Sequence, residues 1–214
     1  MKKNFLQLLQ KNNKKYRLLI LPLISTAAVL REEKILKTLL LSAKVKRINY
    51  RKIYEALLQT YLFAGYPSAL ISLKIASEIF AIKELKYKSI RSYKKTGIRN
   101  CQKIYGNKFN KLINNVEEFS PELSEWLITE GYGKVLSRSG LPLKEREMCI
   151  VALLCSMKYK SQLYSHINGA FRLKNTRANI KTLIVSLEEI GGKHISEFGM
   201  DVFNSFIKTR VSNK

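Results

Sequence analysis

The constraint that most narrows the folds open to this chain is its similarity to itself. Two stretches match without a gap at an offset of 127 residues: Leu36, Leu40 and Ala43 fall on Leu163, Ile167 and Ala170, and Asn49 falls on Thr176. Further on, Ile53, Leu57 and Leu58 meet Ile180, Ile184 and Val185, and Gly65 meets Gly192. Beyond the glycine, Ile75, Ile79 and Phe80 meet Val202, Phe206 and Ile207. A pattern that recurs over such a length reads as one structural unit used twice. Within each unit the apolar residues return every three or four positions, the period of a helix face, and no stretch alternates for long as a half-buried strand would. Each copy therefore reads as an apolar helix, a second helix, a short polar turn and a long third helix interrupted near its glycine. The expected fold class is all-α, with two pseudo-repeats offset by 127 residues.

This divides the chain into a first copy over 1–83, a helical connector over 84–140 and a second copy over 141–214, expected to pack as one compact unit. The lysine-rich start at 1–17, followed by the apolar run 18–30, imitates a signal peptide. The run is short for a membrane span, and Arg31-Glu32-Glu33 follows without a small-residue cleavage site. Its register matches the apolar helix at 146–157, so a buried helix is expected, with Pro22 tolerated in a first turn or kinking the helix if it begins much earlier. In the connector, 84–105 reads as a basic helix and Gly106-Asn107 as a break. Ser120-Pro121-Glu122 is a helix start, with serine as cap, proline first and an acid in the first turn. Trp126 is expected on the apolar side with Leu123 and Leu127. Gly131, Gly133 and Gly140 bracket a short segment that brings Tyr132 and Arg138 just ahead of Glu147, either to close a pocket or to seal the hairpin.

A chain of 214 residues, 46% hydrophobic, can bury a substantial core. The formal charge of +23 makes a polyanion partner a live reading. The basic residues run along the whole chain, however, without an aromatic-interleaved RNA motif or a Cys/His zinc pattern. The favoured reading is compositional drift with the lysines on solvated faces; charge alone argues for non-specific association with nucleic acid rather than a dedicated function. Three cysteines, Cys101, Cys149 and Cys155, form no CxxC and no ligand spacing, so no metal site is expected, and an odd count suits a reducing, cytoplasmic setting.

The chemistry-bearing residues gather at 141–172, which reads as a helical hairpin. The first helix starts after Pro142 and carries Glu147. The second carries Gln162, His166 and Ala170 one turn apart, the spacing of a single face. A carboxylate and an imidazole on neighbouring antiparallel helices can meet. One reading is a structural histidine held in a core; the other is an acid–base pair. The first copy has Ile20 and Leu39 at the two corresponding positions, so such chemistry belongs to the second copy alone. One composite site per chain is the simplest account.

Several runs carry a family resemblance: Arg146-Glu147, then Gln162-Leu163-Tyr164-Ser165-His166, then Gly169-Ala170; residues 55–70, including Gly65-Tyr66-Pro67; and Tyr132-Gly133-Lys134-Val135-Leu136-Ser137-Arg138 with Gly140-Leu141. Over most of residues 50–192 the chain resembles the carboxymuconolactone decarboxylase family, whose relatives include the alkylhydroperoxidase-D-type thiol proteins. The resemblance implies an alkylhydroperoxidase-D-like helical fold and a closed homo-oligomer, a trimer or hexamer, with no membrane attachment. In the thiol-active branch the pattern is Glu-x11-Cys-x2-Cys-x3-His. This chain keeps the Glu147-to-His166 spacing but has Tyr159 and Gln162 at the cysteine places, so thiol peroxidase chemistry is not expected.

What remains resembles the decarboxylase branch, which implies chemistry on a small carboxylated lactone with no organic cofactor and no metal. Glu147 would orient His166, and the imidazolium would stabilise and protonate the enolate left by carbon dioxide. Arg138 or Arg146 would hold the substrate carboxylate, with Tyr132 and Gln162 lining the site. The chain departs from the family decarboxylase at Lys158, Tyr159, Lys160 and Ser161, which leaves the particular lactone open. The competing expectation is a non-catalytic, oligomeric helical relative that binds a ligand or nucleic acid.

Overall fold

The computed structural model describes residues 13–81 and 92–212. The lysine-rich beginning of the chain and the first part of the basic helix expected from Glu84 lie outside these residues. Among the described residues every regular element is helical and no strand occurs. The first half holds α1 (Lys14–Val29), α2 (Glu33–Val45), α3 (Tyr50–Leu58) and α4 (Tyr61–Phe80). The connector supplies α5 (Tyr93–Tyr105), a 3-10 turn (Gly106–Lys108), α6 (Phe109–Glu117), α7 (Pro121–Trp126) and a π-helical segment (Leu127–Val135). The second half holds α8 (Leu143–Ser156), α9 (Lys160–Arg172), α10 (Arg177–Ser186), α11 (Glu188–Gly191) and α12 (Lys193–Ser212).

The centre of the molecule is the pair α1 and α8, which pack on each other. Leu19 to Ala28 are buried without interruption in α1, and Arg146 to Ser156 in α8. A helix that is apolar all round has no solvent face, so both must be wrapped by others. α2 and α3 cover α1, and α9 and α10 cover α8; α5 lies against α9 and against the π-helical segment. Buried apolar residues from the first half, the connector and the second half form one continuous cluster.

Local chemistry explains the boundaries. Pro142 caps α8, as expected, and the Leu123 amide donates to the Ser120 hydroxyl at the start of α7. α1 begins earlier than the apolar run suggests. The Asn13 side chain accepts from the Tyr16 amide at 3.0 Å and starts the helix at Lys14. Pro22 consequently sits in the helix interior rather than in its first turn, where it has no N–H to offer the Leu18 carbonyl.

The ends of α1, α2, α8 and α9 turn through the left-handed residues Arg31, Arg47, Lys158 and Lys174. Each is followed by a backbone bond reaching back across the last turn, such as Glu32 N to Ala27 O at 2.9 Å and Tyr159 N to Leu154 O at 3.1 Å. The long third helices break at glycine, Gly65 with φ 75° and Gly192 with φ 88°. Both have ψ near 170°, a combination essentially closed to residues with a side chain. These features fall at matching places 127 residues apart, as do the bounds of α2 and α9.

Two expectations for the connector are corrected. Trp126 and Leu123 are 56% and 50% exposed, not turned to the apolar side. The reason lies in Gly131 and Gly133: the chain does not break there but winds as a π-helix, which rotates the face and buries Ile128, Tyr132 and Val135 instead. Gly97 and Gly133 bring this segment and α5 into backbone contact, since a methyl group on either would overlap a carbonyl of the other element.

Candidate functional site

Glu147 stands near the start of the fully buried stretch of α8, and His166 in the middle of α9. His166 Nδ1 lies 2.9 Å from Glu147 Oε2. Glu147 is 0% and His166 6% exposed. An ionised carboxylate only accepts, so Nδ1 carries the hydrogen and the opposite ring nitrogen, Nε2, faces away from Glu147. Nε2 has no hydrogen-bond partner among the described residues. Glu147 Oε1 is buried and likewise has none.

Glycine makes this approach of two helices possible. A methyl group at Gly169 would stand 2.8 Å from Glu147 Oε2 and 2.7 Å from Ile104 Cγ2. Two aromatic rings meet the imidazole edge-on. Phe63, just ahead of the Gly65 kink in the first half, has its centroid 6.5 Å away, and Tyr105, the last residue of α5, has its centroid 6.1 Å away. Three parts of the chain thus converge on His166. Phe63 and Tyr105 are half-buried, and His166 between them is buried.

Of the other residues singled out from the sequence, Tyr132 is buried and its hydroxyl donates to the Tyr105 oxygen at 3.4 Å. Gln162 is exposed in the first turn of α9. The two arginines are engaged elsewhere. Arg146 is wholly buried; its Nη2 donates to Glu55 Oε2 at 3.0 Å and to the Arg138 carbonyl at 2.9 Å, its Nη1 to Gln59 Oε1 at 3.3 Å, and its Nε to the Leu141 carbonyl at 3.0 Å. Arg138 Nε donates to both oxygens of Glu55, at 3.1 and 3.0 Å, and Arg51 joins the same carboxylate at 3.2 Å. A buried carboxylate held by three guanidinium groups leaves Arg146 no free donor edge for a ligand.

Sequence reasoning assigned no role to Glu55, Phe63 or Tyr105 at this site. Glu55 did carry a signal, an acid inside the apolar face formed by Ile53, Ala56 and Leu57. Phe63 lay within the singled-out run 55–70 but was given no role of its own, and nothing local marked Tyr105. The thiols are inert by environment: burial pushes Cys101 up to about 12, helped by the Glu147 charge, and burial pushes Cys149 up to about 12 as well. Among the described residues, no cluster of three His, Cys, Asp or Glu is placed to hold a metal ion, and no helix is long and apolar enough to cross a membrane. Of four surface concavities, one of about 450 Å³ is lined by Arg138 with Asn100 and Leu141, and none is lined by Glu147, His166, Phe63 or Tyr105. The largest of them, about 790 Å³, is bordered by Lys14, Lys15, Arg17, Arg47 and Lys52 over a floor that includes Leu18 and Leu21.

No family model matches the chain. It is similar to 4-carboxymuconolactone decarboxylase of Acinetobacter baylyi, at 24% identity over 115 residues, which cover 53% of this chain and 86% of the relative. The likeness supports a relationship, and a related function, at the level of that family.

Proposed function

We propose that the chain is a cofactor-free enzyme of the decarboxylase type, acting on a small carboxylated lactone with His166 and Glu147 as its acid–base pair. The supporting observation is the buried contact of 2.9 Å between them, which leaves Nε2 of the imidazole without a partner among the described residues. Glu147 accepts the Nδ1 hydrogen and orients the ring. The bond from carbon to the substrate carboxylate breaks, carbon dioxide departs, and the electron pair moves into the conjugated carbonyl. The imidazolium then delivers its Nε2 proton to carbon, so one proton is consumed for each carbon dioxide released. Arg146 is fully engaged by Glu55, Gln59 and two carbonyls, so the substrate carboxylate would fall to the Nη edge of Arg138, and the aromatic surroundings of His166 would select the rest of the substrate.

In the same reading the fold is alkylhydroperoxidase-D-like, the two halves are diverged copies of one unit, and the chains assemble as a trimer with pseudo-sixfold character. Sedimentation would give the subunit number directly. The catalytic reading is tested by carbon dioxide release from 4-carboxymuconolactone and a panel of carboxylated lactones. His166→Gln and Glu147→Gln are expected to lower turnover by about 10²–10⁴-fold with the fold intact. Variants as active as the wild type, or no release from any lactone, would defeat it.

A second reading is favoured by the charge of +23 and the basic rim of the 790 Å³ groove: a helical protein that binds polyanions. Tight binding to duplex DNA with a steep salt dependence, unaffected by His166→Gln, would favour it.

A further inference from the structure

Decarboxylation places a full negative charge on an oxygen, and a water-excluded site must meet it with a donor that is already in place. The groups around His166 narrow the choice. The Nδ1 hydrogen is committed to Glu147. Arg146 is committed through all three nitrogens, and Arg138 donates its Nε to Glu55 and borders a separate concavity that His166 does not line. Asn100 donates one of its amide hydrogens to the Tyr132 carbonyl at 3.4 Å and lines that same separate concavity. Tyr105 differs. Its oxygen accepts from the Tyr132 hydroxyl, and its own hydroxyl hydrogen has no acceptor among the described residues.

We propose that Tyr105 is a catalytic residue whose hydroxyl donates to the substrate oxygen that becomes an enolate as carbon dioxide leaves. This rests on the decarboxylase reading and adds to it a donor distinct from the acid–base pair. The hydroxyl suits the role because it is polarised from behind: a phenol that accepts one hydrogen bond donates the next more strongly. Tyr132 supplies that bond and is itself fixed, since its segment sits in backbone contact with α5 through Gly97 and Gly133. The Tyr105 backbone is equally set. It ends α5 immediately before Gly106, whose φ of 60° and ψ of −128° turn the chain away. Burial and the nearby Glu147 charge also push the Tyr105 phenol well above its ordinary range, so it stays protonated and serves as a donor throughout neutral pH. The division of labour is then clear: Tyr105 holds the oxygen and His166 protonates the carbon.

The test is Tyr105→Phe, which removes one oxygen whose single hydrogen bond among the described residues is to Tyr132. In the carbon dioxide assay it should lower kcat by about 10²–10³-fold, the usual effect of losing an oxyanion donor, with KM little changed. Tyr132→Phe should give a smaller loss in the same direction. A second readout needs no turnover: binding of 4-nitrophenolate, an enolate-like anion followed by its absorbance, should weaken at least tenfold in Tyr105→Phe. If the wild type turns over a lactone while Tyr105→Phe keeps both kcat and nitrophenolate binding within twofold, the assignment is overturned. If no lactone is turned over but nitrophenolate binding still depends on the Tyr105 hydroxyl, the donor stands and the decarboxylase reading fails. Nitrophenolate binding that ignores Tyr105 in an inactive wild type removes both.

Discussion

Among the described residues two glutamates are wholly buried, and their surroundings are opposite. Glu55, from the first half, meets Arg146, Arg138 and Arg51, and both of its oxygens are occupied. Glu147, from the second half, meets one imidazole through one oxygen, and the other has no partner. A charge so fully compensated as Glu55 can only hold the fold together, because any ligand would have to displace a guanidinium. A charge compensated on one side by a titratable ring retains capacity for proton transfer. Burial alone therefore does not mark a functional acid; incomplete satisfaction by groups that can change protonation does.

That contrast can be broken by experiment. The largest effect is expected at Glu55. Replacing it by alanine strands Arg146 in the core, and breaking a buried pair in this way costs about 3–5 kcal/mol. Chemical denaturation would read it, and a loss below 1 kcal/mol would show that the arginine finds other partners. Glu147→Gln keeps shape and volume, so its unfolding free energy should move far less than that of Glu55→Ala while turnover collapses. The reverse pattern, a large stability loss with activity kept, would make Glu147 the structural acid.

Gly169→Ala should fall between them. Its methyl group must push the Glu147 carboxylate or Ile104, an overpacking that costs about 1–3 kcal/mol. It should lower turnover by misplacing the carboxylate, and thermal melts with activity assays of the same sample would separate the two effects.

The smallest effect concerns alkali. The Cys101 and Cys149 thiols are raised in the folded state to about 12 from an ordinary value near 9. Their contribution to stability is fully present below pH 9 and is lost as pH rises toward 12, because the unfolded chain releases those protons first. Lysine deprotonation relieves the self-repulsion of a +23 chain over the same range and works the other way. The measurement is therefore a difference. The Tm of the wild type should fall more steeply above pH 9 than that of a Cys101→Ala, Cys149→Ala protein, and parallel curves would contradict the burial argument.

Much of the helical layout was legible because its signals are local. Pro142, Ser120 and Pro121 mark helix starts wherever they occur, and the apolar period of 36–43 and 163–170 names the buried face without reference to any partner. The Glu147–His166 spacing across a hairpin allowed the contact that the structure contains. The misreadings also have local causes. Asn13 outweighed the start of the apolar run as the place where α1 begins. Two glycines that usually break a helix were absorbed into a π-helix, which moved Trp126 to the surface.

By itself the amino-acid order determined the helices, most of their limits, the two cores that cannot face water and the pair of ionisable groups brought together by one turn. Only the tertiary structure decided that Arg146 faces Glu55, 91 residues earlier, and that Phe63 and Tyr105 close around the imidazole from the first half and the connector. The reason is physical. Helical period and capping are interactions within a few residues, so they are written in the order of the chain. Which guanidinium satisfies which buried carboxylate is a competition among groups distant in sequence, settled only when desolvation makes every unpaired charge costly at once.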